Sequence, residues 1–172
     1  TVLGPSIILT AMVLLRFIAA PWVLLLLQPS ACMQQLNDET FEHQTQASTG
    51  MTTGSWLVTF GASGCGSCGE FREALDGVEE ELRDIYVIPA HVDKADSAGL
   101  WKRFGISEVP GTLLFAKHKL YRYTGAQDGQ SLLAFARAAL DGQLEAGEIP
   151  APPSLLETLL DKVKSIFGAG EL

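Results

Sequence analysis

The chain has 172 residues, of which 47% are apolar and 19% are charged, and its formal net charge is −8. This length accommodates one domain with short appendages, and the apolar content is sufficient to build a core. The acidic balance excludes a general nucleic-acid-binding protein, because phosphate contacts require clustered lysine and arginine. The dense basic cluster at residues 117–119 is typical of an exposed turn.

The N-terminal segment is almost continuously apolar over residues 7–27. From Met12 it shows a short basic region ending at Arg16, an apolar stretch and then small residues before Cys32, which is the plan of a secretory signal peptide. The alternative is an uncleaved membrane anchor, since about 20 apolar residues span a bilayer. Residues 1–32 are therefore predicted to be a signal peptide or an anchor. In either case the rest of the chain is expected in an oxidising lumen.

A reactive cysteine pair follows the next apolar run. Residues 56–61 are rich in β-branched and aromatic side chains and predict a buried strand. Cys65, Gly66, Ser67 and Cys68 then open a stretch of helical spacing that continues to residue 82. Free backbone N–H groups and the helix dipole favour a thiolate at such a junction. We predict that Cys65 attacks a disulfide and that Cys68, one helical turn on, resolves the mixed disulfide.

Two other uses of a C-x-x-C pair are less consistent with this sequence. A zinc site usually needs a second cysteine pair or nearby histidines, and His43, His91 and His118 are scattered singly. A purely structural disulfide is disfavoured, because so short a loop constrains the unfolded chain very little. We therefore expect redox chemistry with no metal and no cofactor.

The rest of the domain alternates strands and helices. Strands are predicted over residues 85–92, 112–116 and 120–124, and helices over 97–104 and 128–140. The last two strands flank the basic turn and form a hairpin. This order predicts an α/β fold in which helices cover both faces of a mixed sheet.

Short stretches in this order resemble thioredoxin-fold oxidoreductases, specifically the protein disulfide isomerase-like domains of the secretory pathway. The matching stretches are 56–62, 65–68, 91–93, 104–106, 109–110 and 123–125. The resemblance implies a thioredoxin-like domain over residues 33–145 and placement in the endoplasmic reticulum lumen or secretory pathway. It also implies protein thiol or disulfide substrates and a redox partner that recycles the pair. Finally, it implies a cis peptide bond before Pro110, with the backbone of Val109 pairing with substrate.

Several residues depart from that family pattern. Gly64 stands in place of a tryptophan, Ser67 in place of proline or histidine, and Gly111 in place of threonine. Thr59 occupies the position of a buried carboxylate that accepts a proton from the resolving cysteine, and Gln127 lies near the place of an arginine. Because these groups tune the sulfurs, we expect slow or specialised exchange rather than efficient general isomerase activity.

Residues 146–172 form a proline-containing linker followed by an amphipathic helix. Ser154 and Glu157 form a capping box, and an apolar face follows over residues 155–167. Such a helix packs on its own domain or on a second copy, and membrane association through it or through the N-terminal segment is an open alternative. If the cysteines are vestigial, the chain is instead a thioredoxin-fold binding or assembly module.

Overall fold

The computed structural model of this protein describes residues 33–50, 53–154, 156, 157, 159, 160 and 163. The predicted signal peptide or anchor over residues 1–32 lies outside the described residues. Within the described residues, no helix is long and apolar enough to cross a membrane.

A mixed sheet forms the centre of the described part of the chain. Its strands are β1 (Gln34–Leu36), β2 (Ser55–Gly61), β3 (Val87–Asp93), β4 (Gly111–Ala116) and β5 (Lys119–Tyr123). The helices are α1 (Phe41–Thr45), α2 (Gly66–Asp76), α3 (Glu79–Asp84), α4 (Ala98–Phe104) and α5 (Gly129–Leu140). The strand order is β1-β3-β2-β4-β5, in which β3 runs parallel to both β1 and β2, β4 runs antiparallel to β2, and β5 antiparallel to β4. The expected thioredoxin-like α/β fold is confirmed.

Strand β2 lies at the centre of the sheet because both of its faces are apolar. Leu57 packs in a core with residues of α2, α3 and α5, whereas Val58 and Phe60 pack in a second core with residues of α1 and α4. Successive side chains of a strand point to opposite faces, so a strand covered on both sides is a nearly continuous apolar run. This burial fixes the register of β2 and therefore the position of the loop that follows Gly61.

The second core is centred on four phenylalanines, which we call the aromatic cluster. Its members are Phe41, Phe60, Phe104 and Phe115, all with no measurable exposure. The Phe104 ring lies 5.3 Å from Phe41, 6.2 Å from Phe60 and 5.2 Å from Phe115, measured between ring centroids. These tilted and edge-on arrangements are favourable for aromatic rings. The cluster joins α1 and α4 to the sheet.

The structure differs from the sequence-based prediction in three regions. The predicted continuous helix from Cys65 to residue 82 is divided into α2 and α3, because the chain leaves helical geometry at Val78, where φ is −121° and ψ is 11°. Before residue 56, the structure adds β1 and α1, for which no prediction was made. Strand β3 begins at Val87 rather than at residue 85, after Tyr86 turns the backbone with φ of +60°.

The linker after α5 contacts the domain at two points. Gly147 exchanges two backbone hydrogen bonds with Leu120 of β5, with N···O distances of 2.8 and 3.0 Å. The Arg103 guanidinium donates to the carbonyl oxygen of Pro150 from Nε at 2.9 Å and from a terminal nitrogen at 2.7 Å. Both contacts lie beyond residue 145, where the sequence places the end of the domain.

The predicted capping box is present. The Glu157 backbone N–H donates to Ser154 Oγ at 3.2 Å, and the Ser154 backbone N–H donates to Glu157 Oε2 at 2.8 Å. Of the predicted apolar face, four side chains are described, and they are exposed by 47% to 73%. They are Leu156, Leu159, Leu160 and Val163. The rest of that face lies outside the described residues.

Candidate active site

The loop between β2 and α2 carries the cysteine pair. Gly64 has φ of +82°, a left-handed conformation that glycine adopts without steric cost. The Cys65 backbone N–H donates to the Ala62 carbonyl at 3.1 Å, which closes the turn. Cys65 is then the N-cap residue of α2. The glycine found in place of the family tryptophan is thus the residue that this turn accommodates best.

Cys65 and Cys68 form a disulfide with a Cα–Cα distance of 5.4 Å. The Cys68 backbone N–H also donates to Cys65 Sγ at 3.2 Å. In the reduced protein the same donor at a helix N-terminus would stabilise a Cys65 thiolate. Both cysteines are half-buried, so exposure does not separate the attacking from the resolving sulfur. That assignment stays a prediction.

The two residues between the cysteines are exposed. Ser67 Oγ lies 3.6 Å from Cys65 Sγ, so the side chain at this position faces the sulfur. A Cβ added at Gly66 would meet no atom within 4 Å. Position 67 can therefore influence the Cys65 thiolate directly, whereas position 66 faces open space.

Val109 and Pro110 lie at the same end of the sheet as the disulfide. The peptide bond between them is cis, as the family resemblance implied. Gly111, the next residue, opens β4 and pairs with Phe60 near the end of β2. Val109 is 38% exposed and lies beside the loop that carries the cysteines. Its pairing with substrate stays a prediction.

Gly111 stands where the family has threonine, and the structure gives a steric reason. A Cβ at this position would lie 3.2 Å from the Glu108 carbonyl oxygen and 3.2 Å from Ile106 Cγ2. These contacts are tighter than ordinary van der Waals distances, and one of them is to backbone. The loop before β4 therefore leaves little room for a larger side chain.

Thr59 is buried on β2 at the position of the family carboxylate. Its Oγ1 lies 3.1 Å from the Ala90 carbonyl oxygen and 3.2 Å from His91 Nδ1. A threonine hydroxyl does not titrate in the physiological range, so it cannot replace a carboxylate as a proton acceptor. The structure instead places a titratable group, His91, beside it.

His91 is a functional candidate that sequence reasoning missed. It is only 5% exposed, and its Nε2 lies 3.1 Å from a terminal nitrogen of Arg72. A Cβ on Gly61 would lie 2.8 Å from His91 Cε1 and 3.7 Å from Cys68 Cβ, so the ring and Cys68 approach the same point. Gly61 permits this close approach because it has no side chain.

The surroundings of His91 favour the neutral form of its ring. Burial lowers the pKa of His91 below its ordinary value, and the positive charge of Arg72 lowers it further, against the opposing effect of Asp93. The signal available in the sequence was weak, because the pairing of His91 with Thr59 depends on the register of β3 against β2.

Within the described part of the chain, no three His, Cys, Asp or Glu side chains are grouped so that they could hold a metal ion.

Comparison with known proteins settles the family. The thioredoxin family model matches residues 32–138, which is more than half of the chain. The chain belongs to the thioredoxin family. A thioredoxin domain-containing protein of Theileria parva is 38% identical over 131 residues, covering 76% of this chain and 59% of that protein. A thioredoxin of Chlamydia caviae is 29% identical over 84 residues, covering 48% of this chain and 80% of that protein.

Solved structures share this fold at lower identity. The first thioredoxin domain of mouse protein disulfide-isomerase A4 aligns with a TM-score of 0.57 at 22% identity, covering 70% of this chain and 85% of that one. The J-Trx1 fragment of ERdj5 aligns with a TM-score of 0.53 at 21% identity, covering 62% of this chain and 49% of that one. This chain is therefore a thioredoxin-fold domain with a cysteine pair at disulfide distance.

Proposed function

We propose that this protein is a thiol–disulfide oxidoreductase of the protein disulfide isomerase type, acting on proteins of the secretory pathway. The observation that carries the proposal is the Cys65–Cys68 disulfide at the N-terminus of α2, with a backbone N–H donated to the Cys65 sulfur. The fold is shared with a domain of mouse protein disulfide-isomerase A4. The chain spans 59% of the length of the Theileria relative. Any activity of a longer protein that contains this chain is therefore part of the same proposal.

The reaction balances as a two-electron exchange. In the reducing direction, the Cys65 thiolate attacks one sulfur of a substrate disulfide and forms a mixed disulfide, releasing the other substrate sulfur as a thiolate. The Cys68 thiolate then attacks Cys65 Sγ, forms the internal disulfide and releases the second substrate sulfur. Both released thiolates take protons from solvent. A low-molecular-weight thiol or a dithiol protein must return two electrons to the pair before the next cycle.

Substrate binding is assigned to the loop at Val109 and Pro110. Val109 is exposed, and its backbone lies at the end of the sheet that carries the disulfide. An extended substrate segment that pairs with this backbone would bring its own cysteine towards Cys65. Protein thiols and disulfides are therefore the proposed substrates.

The compartment is proposed from the N-terminal sequence pattern. Expression in eukaryotic cells followed by N-terminal sequencing tests it directly. A mature chain that begins near residue 33 in the lumen of the secretory pathway supports the proposal. A chain that retains residues 7–27 and stays with carbonate-washed membranes supports an anchor, and a full-length chain in the cytosol contradicts the placement.

Replacing Ser67 with histidine should raise the reduction potential of the pair. Ser67 Oγ lies 3.6 Å from Cys65 Sγ, so a protonated imidazole at this position would stabilise the Cys65 thiolate and hence the reduced protein. We expect a rise of about 30 mV or more, since 30 mV corresponds to about tenfold in the equilibrium constant for two electrons. Titration against glutathione buffers measures the change.

Gln143→His is the matched control for this substitution. Gln143 is exposed and follows α5, whose last carbonyl, that of Leu140, accepts a hydrogen bond from Lys117 at the β4–β5 turn. This turn lies at the end of β4 opposite Gly111, so the control adds the same side chain far from the sulfurs. A potential that stays constant in Ser67→His, or that shifts equally in both variants, would contradict the assignment of position 67.

A second candidate function is a thioredoxin-fold binding or assembly module. The observation that favours it is the exposure of Leu156, Leu159, Leu160 and Val163 on the helix that follows Ser154. Turnover on disulfide-containing insulin with glutathione separates the two candidates. Turnover that depends on the cysteine pair supports the oxidoreductase, and its absence in folded, reduced protein supports the module.

A further inference from the structure

Cys68, the proposed resolving cysteine, lies one helical turn before the cationic side chain of Arg72. Cys68 and Arg72 both lie in α2 and are four residues apart, so their side chains share one face of the helix. A positive charge at this spacing favours the thiolate of a neighbouring cysteine. Arg72 is exposed overall, however, and a freely moving side chain would be screened by water. The effect on Cys68 therefore depends on whether the guanidinium is held in place.

His91 holds it. Arg72 can only donate hydrogen bonds, so His91 Nε2, which lies 3.1 Å from its terminal nitrogen, must be the acceptor. The proton of the neutral ring is then on Nδ1, which donates to Thr59 Oγ1 at 3.2 Å. The Thr59 hydroxyl donates in turn to the Ala90 carbonyl oxygen at 3.1 Å. This chain of donors and acceptors fixes the imidazole with its acceptor directed at Arg72.

The same ring lies in the neighbourhood of the cysteine. His91 Cε1 and Cys68 Cβ both come within 4 Å of the point where a Gly61 side chain would begin. A guanidinium bound to this imidazole is therefore kept on the side of α2 that carries Cys68. Two carboxylates also interact electrostatically with this pair. Burial raises the pKa of Asp76 against the opposing charge of Arg72, and Asp93 opposes the lowering of the His91 pKa. The hydrogen bond itself joins Arg72 directly to His91, without either carboxylate.

We propose that Arg72, anchored by neutral His91, is the positive charge that stabilises the Cys68 thiolate in this protein. Arg72 and His91 are positioning residues in this role, because they act on the ionisation of Cys68 and do not bind substrate. When Cys68 ionises, its sulfur becomes able to attack Cys65 Sγ, and the thiol proton passes to solvent. The inference rests on the proposed function for its purpose, but thiol ionisation can be measured without any substrate protein.

The test measures the ionisation of Cys68 through its alkylation rate. In the Cys65→Ser background, reduced protein is treated with iodoacetamide across pH 6 to 10, and peptide mass analysis separates Cys68 from Cys32. Arg72→Gln should raise the apparent pKa of Cys68 and slow its alkylation at pH 7 by about threefold to tenfold. The effect is no larger because solvent screens an exposed charge more than a buried one. Arg72→Lys, which keeps the charge, should retain most of the wild-type rate.

His91 tests the anchoring. His91→Leu should slow alkylation in the same direction, and adding Arg72→Gln to it should slow it no further, because both changes remove one effect. His91→Gln keeps an acceptor at the end of the side chain and should restore most of the rate. It also serves as the readout if His91→Leu does not fold. Independent, additive losses would show that His91 does not act through Arg72.

Arg83→Gln is the matched control for the change in net charge. Arg83 is an arginine of α3 that pairs with Glu79 and lies beside Thr53 and Gly54, near the end of β2 opposite Gly61. The alkylation profile of Cys68 in Arg83→Gln should match the profile in the otherwise unchanged protein. An unchanged Cys68 rate in folded Arg72→Gln, or equal slowing in Arg72→Gln and Arg83→Gln, would overturn the proposal. Failure of insulin turnover in wild type would instead count against the proposed function alone.

Discussion

Replacing Cys65 with serine should abolish turnover on disulfide-containing insulin. A serine hydroxyl cannot form the mixed disulfide, and the loss of a nucleophile reduces turnover by a factor of about 10³ or more. Insulin precipitation in the presence of glutathione provides the assay. The reaction depends on the attacking sulfur, so the loss should be complete down to the rate with glutathione alone.

Two further serine variants show whether the loss is specific. Cys32→Ser makes the same substitution at the third cysteine, outside the described residues, and should retain turnover. Cys68→Ser should lose turnover but accumulate a mixed disulfide between Cys65 and substrate, because nothing remains to resolve it. Turnover that persists in Cys65→Ser, or a trapped adduct on Cys68 in that variant, would reverse the assignment of the two sulfurs.

Replacing Phe104 with alanine should lower the free energy of unfolding by about 3–5 kcal/mol, as for other fully buried phenylalanines. Phe104 is completely buried and contacts three other rings of the aromatic cluster, so its removal leaves a cavity among rigid neighbours. Urea unfolding followed by circular dichroism measures the loss. Because a typical domain has only about 5–15 kcal/mol of stability, this variant should be close to unfolding at 37 °C.

Phe135→Ala is the comparison for this substitution. Phe135 lies on α5, is half-buried and contacts one ring, that of Tyr123, at 5.0 Å between centroids. Its loss should reduce stability by clearly less than the loss of Phe104, since part of its surface already faces water. Equal losses in the two variants would mean that the aromatic cluster is not the better packed region.

Features with a strong local signal were predicted correctly from the sequence. The apolar run before Gly61 predicted β2, and the basic turn predicted the hairpin of β4 and β5. Lys117 and His118 at the tip of that hairpin have positive φ values of 51° and 61°, as a two-residue turn with right-handed strand twist requires. The cis bond before Pro110 was also expected, but from the family resemblance rather than from the residues themselves.

What the sequence did not predict depends on contacts between distant segments. Strand β1 has only three residues, Gln34 to Leu36, of which one is buried, so it gives no usable periodicity. The relation of His91 to Arg72 joins residues 19 positions apart on a strand and a helix. Nothing in the local sequence of either residue indicates that they meet. The register of β3 beside β2, and the missing side chain of Gly61, bring the His91 ring and Cys68 near the same point.

The two contacts of the linker with the domain also affect how the sheet meets other molecules. An edge strand presents unpaired N–H and C=O groups that can template pairing with a second chain. On one edge, β1 offers three residues, too short a stretch for stable pairing. On the other, Gly147 occupies both backbone groups of Leu120, and Arg103 holds the chain at Pro150. A chain shortened to residue 145 would therefore expose the β5 edge and acquire a tendency to self-associate that the longer chain resists.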